Sequence, residues 1–82
     1  MDESKMETAC GMCVVALTKH IMNKNNVNQE IAYKQLLRME LYKLLNDVDT
    51  RLFLETNEYL CKACDMELDS GIDAMYDFIN EK

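Results

Sequence analysis

An all-α fold, a compact bundle of about four helices forming a single domain over residues 1–82, is predicted by three features of the sequence. Proline is absent and only two glycines occur, Gly11 and Gly71, whereas a strand-rich fold draws heavily on both for its turns. Hydrophobic residues make up 49% of the chain, enough to fill a core and well above the content of disordered sequences. Apolar positions recur at intervals of three and four, the period of a helix face.

The first helix carries Met6, Cys10, Cys13, Val14, Leu17 and Ile21 on one stripe, with Glu7 and Lys19 outside it. Ser4 or an earlier residue caps its start. The run "NKNNVN" at 23–28 ends it, because asparagine competes for backbone hydrogen bonds and tolerates left-handed geometry. A second helix is expected to start at Asn28, with Glu30 in its first turn and Val27 and Ala32 at the staple positions. Ile31, Ala32, Leu36, Leu37, Leu41, Leu44, Leu45 and Val48 then form an apolar face wide enough to make this helix central. Residues 46–57 read as a short helix or an extended crossover, with Leu52, Phe53 and Leu54 plugging the core. A third helix is predicted over 57–68, with Leu60, Cys61, Cys64 and Leu68 on one stripe. "DSG" at 69–71 breaks it, and Ser70 is expected to cap a fourth helix whose face is Ile72, Met75, Tyr76 and Ile79.

The net charge is −6, unevenly spread: residues 55–82 carry −6 and residues 16–54 carry +2. Such a field repels nucleic acid, and the one candidate recognition helix, "YKQLLRMELYK", is interrupted by residues suited to a core. No run reaches the ~18 apolar residues of a membrane span. The longest, "MCVVAL", follows an acidic rather than a basic N-terminus, so the cytoplasm is the expected compartment.

The cysteines form two pairs, "CGMC" at 10–13 and "CKAC" at 61–64. Four thiolates in two such pairs suit structural zinc, with Cys10, Cys13, Cys61 and Cys64 as ligands. Each pair, however, lies inside a helical pattern rather than on a tight turn. Paired i, i+3 cysteines also suit two disulfides between antiparallel helices. Saposin-like proteins use an N-terminal CxxC in that way, with more cysteines and a different C-terminal spacing. Redox catalysis needs a strand before the pair, and none is predicted. The remaining reading is four small core residues that stay thiols, without a cofactor.

Other chemistry is thin. Asp47, Asp49 and Glu58 match three positions of a calcium loop, but Arg51 and Leu52 occupy positions that need an oxygen ligand and a glycine. His20, the single histidine, has no serine-centred partner and reads as a surface residue helped by the helix C-terminal dipole. The chain is therefore expected to be non-catalytic and to bind a protein partner, a second copy of itself included. Its seven methionines and four tyrosines supply adaptable, amphipathic contacts. Tyr59, Tyr76, Asp73 and Asp77 are the expected contact residues, on the acidic end of the chain. The alternative is a zinc-stabilised or disulfide-stapled, saposin-like binding module.

The stretch "LYKLLNDVDTRLFLETNEYL", 41–60, resembles a segment of short helical bacterial proteins of unknown function. The matching residues are Leu44, Leu45, Asp47, Thr50, Leu52, Glu55 and Thr56. Members of that family are thought to lie near toxin-like genes, so the resemblance implies an antitoxin-like or accessory role. The cysteine pairs are not part of that pattern.

Overall fold

The computed structural model describes residues 3–81, and the side chains of residues 10–47 and 49–81. Five helices and no strand occur among them: α1 (Glu3–Asn25), α2 (Gln29–Leu37), α3 (Glu40–Leu45), α4 (Asn57–Ser70) and α5 (Ile72–Asn80). Two short 3₁₀ turns, Val48–Thr50 and Leu52–Leu54, connect α3 to α4. The all-α reading of the sequence is correct; the count of helices differs by one.

The predicted stripe of α1 is its inner face. Cys10, Cys13, Leu17 and Ile21 are all buried, and Val14 packs against them from the edge. Ser4, Met6 and Val48, which also entered the predicted caps and faces, lie outside the described side chains. The asparagine run ends α1 as expected. Asn26 takes φ 54°, and Val27 N–H donates to the Met22 carbonyl at 3.2 Å, the long bond of a Schellman turn. Asn28 then caps α2 by accepting from Ile31 N–H at 2.9 Å.

The expected long second helix is broken in two between Leu37 and Glu40. Met39 adopts an extended backbone (φ −79°, ψ 146°) and buries its side chain in the core. No side chain of its own caps α3. Glu67, reaching from α4, does so instead: its two carboxylate oxygens accept from Glu40 N–H at 2.9 Å and Leu41 N–H at 2.8 Å. A continuous helix would have spent those donors internally. Here a negative charge takes them at the positive end of α3. Ala32, Leu36, Leu41 and Leu45 are buried, whereas Ile31 and Leu37 are exposed.

The crossover is held by short-range polar contacts. Thr50 Oγ1 donates to the Leu44 carbonyl at 2.6 Å and lies 2.9 Å from that of Asp47. Arg51 takes the left-handed conformation (φ 55°), a strained state for a residue with a Cβ. It turns the chain so that Leu52 and Phe53 enter the core, while Leu54 stays exposed. Two of the three expected plugs therefore fill the core.

Thr56 caps α4 by accepting from Tyr59 N–H at 3.1 Å. Ser70 does not cap α5, contrary to expectation; it is the last residue of α4. Gly71 forms the joint, with φ 99° and ψ 177°, a conformation that side chains of L-residues disfavour. Leu60, Ala63 and Cys64 face inward from α4 and Met75 from α5. Cys61 and Leu68, placed on the same stripe by spacing, are only half-buried, and Ile72 is exposed. The core therefore draws on all five helices, α1 to α5, and on Leu52 and Phe53 of the crossover.

Candidate functional site

Burying one stripe of α1 leaves the opposite side of the same helix apolar as well. Met12 is 70% exposed and Val15 54% exposed, beside Gly11, Ala16 and Lys19. A groove lined by Gly11, Met12, Val15, Ala16, Lys19 and Asn57 runs between this ridge and the start of α4. On the ridge's other side, a groove of about 270 Å³ lies between α1 and α2, lined by Val14, Val15, Thr18, Met22 and Tyr33 among others. Val15 and Lys19 belong to both, so the two grooves form one surface with a helical ridge along its middle. Among the described residues, Lys19 is the single charged one in either lining. Spacing could have revealed this surface: "MCVVAL" is apolar all around the helix, and only half of that run can face one core.

The expected contact residues lie elsewhere, and they divide. Tyr59 is half-buried, its ring 5.1 Å from that of Phe78 at a tilt of 37°, which ties α4 to α5. Tyr76 donates its hydroxyl to Glu40 Oε1 at 3.0 Å, tying α5 to α3. That acceptor and the neighbouring negative charges push the Tyr76 phenol above its ordinary range. Asp73 and Asp77 are exposed on α5, one turn apart. The two tyrosines thus hold the bundle together, and the two aspartates face solvent.

His20 is more than a surface residue. Its Nε2 lies 2.7 Å from Asp65 Oδ1, with the side chain 28% exposed. Lys24 continues the seam, 3.5 Å from Asp65 and 3.0 Å from Asp69, and the hydrogen bond to Asp69 raises the lysine above its usual range. These contacts also fix the register of α1 against α4. The two helices run parallel, with residue 20 level with 65 and residue 24 level with 69.

That register separates the cysteine pairs. Cys61 is level with position 16 of α1, six residues beyond Cys10, or about 9 Å at 1.5 Å per residue. Zinc–sulfur bonds are about 2.3 Å, so four ligands on one ion need closer convergence than this stagger gives. Instead Cys10 Sγ donates to the Leu45 carbonyl at 3.5 Å and Cys13 Sγ to that of Phe53 at 3.7 Å. No sulfur is bonded to another. Burial raises all four thiols, helped at Cys13 by Cys10 and at Cys61 by Asp65. Cys64 is pushed up to about 12, by burial first and then by Asp65. Thiols raised in this way are poor nucleophiles at neutral pH. Among the described residues, no group of three or more histidine, cysteine and acidic side chains is placed to hold a metal, and no helix is long and apolar enough to cross a membrane.

Comparison with known protein families, with curated proteins and with solved structures found no match to this chain.

Proposed function

We propose that the protein is a small, non-catalytic interaction protein that binds a protein partner through the outer face of α1 and its two flanking grooves. One observation carries this reading. Met12 and Val15 are the centre of a mostly apolar surface that reaches Tyr33 on α2, with Lys19 and Gln29 among its lining. Contiguous exposed apolar surface with a polar rim is the usual mark of a docking site. The non-catalytic part is supported by the state of the reactive groups. His20 is engaged by Asp65, and the thiols are held protonated by burial. The resemblance of residues 41–60 adds the more specific form, an antitoxin-like or regulatory protein. Residues 41–60 fold here as α3, the two turns and the start of α4, whose Asn57 lines one of the grooves beside the α1 ridge.

Position-specific photocrosslinking in the native cell tests the site. A crosslinker at Val15 or Tyr33 is expected to give one product, identified by mass spectrometry, that Met12→Glu removes. A crosslinker at Asp49 should give none. The proposal fails if the product is equally strong from Asp49, or if Met12→Glu leaves it unchanged while the chain stays folded.

A further inference from the structure

Gly11 lies within α1, where glycine weakens a helix and lacks any contact of its own. Nothing inside the chain requires it: a Cβ added there would meet no atom within 4 Å. It belongs to a row spaced by four that includes Val15 and Lys19 on the exposed ridge. Rows of this spacing interlock when two helices pack at about −50°, and a missing side chain on one row lets the second backbone come close. The geometry of the ridge therefore suits another helix.

Charge selects which helix. The chain carries −6 in all; residues 55–82 alone carry −6, six of their eight acids lying in α4 and α5, and among the described residues the only charge in either groove is Lys19. Two copies that met through α5 would press aspartates together. Through α1 they keep those faces apart. A twofold axis crossing α1 near Val15 also reverses the direction of the second helix. Lys19 of one copy then lies over the Gly11 end of the other, where Asn57 lines the groove and Glu58 stands exposed beside it. Among the described residues Glu58 is held by Lys62 alone, at 3.7 Å, and its side chain is exposed to a second ammonium. The symmetry makes this contact twice.

The grooved part of α1 runs from Gly11 to Met22, about 17 Å at 1.5 Å per residue, which seats about three turns of a second helix.

We propose that the occupant of this face is a second copy of the chain, docked through α1 in an antiparallel twofold pair. This rests on the reading of the α1 face as the docking surface and names its partner. Sedimentation equilibrium of the full chain tests it. At about 100 μM the mass should be twice the 9.6 kDa of one chain. Val15→Lys should weaken dimerisation at least tenfold, and Gly11→Leu should do the same without lowering helicity or the unfolding midpoint, because the space at Gly11 is open. Lys19→Glu or Glu58→Lys alone should weaken the dimer, and the two together should restore it. A wild-type chain that stays at the monomer mass throughout overturns the proposal, as does a dimer indifferent to Val15→Lys and Gly11→Leu. A monomer that still crosslinks at Val15 to one foreign protein also overturns it and leaves the docking face standing. A monomer that crosslinks to nothing removes both.

Discussion

Cys64 shows how strongly a single position can report the fold. Its thiol is fully buried on α4 and its folded-state pKa is about 12, against 9.0 for an ordinary thiol. Between these values the unfolded chain releases a proton that the folded chain keeps, so alkali favours unfolding. The stability linked to Cys64 is whole below pH 9 and is lost as the pH rises toward 12. At 1.36 kcal/mol per unit this amounts to as much as about 4 kcal/mol. Urea unfolding of the wild type should therefore weaken steeply from pH 9 upward, and Cys64→Ala should flatten that decline while costing about 1 kcal/mol at pH 7. Equal slopes for the two proteins would refute the assignment. At this scale the sequence was partly informative. The stripe spacing placed Cys10, Cys13 and Cys64 in the core, but it put Cys61 there too, and Cys61 is only half-buried. A spacing of three swings a side chain by about 60° from its neighbour's direction, so one member of a CxxC pair can face the edge of the stripe.

At the scale of elements, the break between α2 and α3 depends on a residue nearly thirty positions away. Glu67 caps α3 with both carboxylate oxygens, and Glu40 at that helix start receives the Tyr76 hydroxyl. Three helices are joined through two acidic side chains. Glu67→Ala should cost about 2 kcal/mol, since it strips two charge-assisted acceptors from a helix start that has no cap of its own. Glu67→Gln, which keeps one acceptor and loses the charge, should cost roughly half as much. Chemical denaturation measures both, and a loss below about 0.5 kcal/mol for the alanine variant would contradict this role. No local signal announces the break. Residues 37–40 contain neither proline nor glycine, and the apolar period runs through them; the cap that competes with continuation comes from elsewhere in the chain. The stops at Asn26 and Gly71 were legible because each is a left-handed position filled by a residue that tolerates it.

At the scale of the whole molecule, the core is continuous from α1 through α2 and α3 to α4 and α5, and the cysteine pairs are staggered within it by about 9 Å along α1. The buried apolar side chains form one continuous cluster, and burial of that kind stabilises a bundle of this size. Adding a chelator or a thiol reductant is therefore expected to leave the thermal midpoint within about 2 °C of its starting value. A fall of tens of degrees with the chelator would assign the pairs to zinc, and one with the reductant would assign them to disulfides. The exposed apolar face of α1 is a property of the same scale. Its residues were readable as apolar, but which half of "MCVVAL" turns outward depends on which side of α1 receives α2 and α4.

The sequence by itself determined the all-α class, the inner stripe of α1, the asparagine stop and the starts of α2 and α4, because periodicity and capping act between residues a few positions apart. Only the tertiary structure decided the break at Met39, the inward turn of Leu52 and Phe53 with Leu54 left outside, the pairing of His20 with Asp65, and the exposure of Met12 and Val15. Each of these is a competition between a local preference and a contact made across the chain, and its outcome is set by which elements lie side by side.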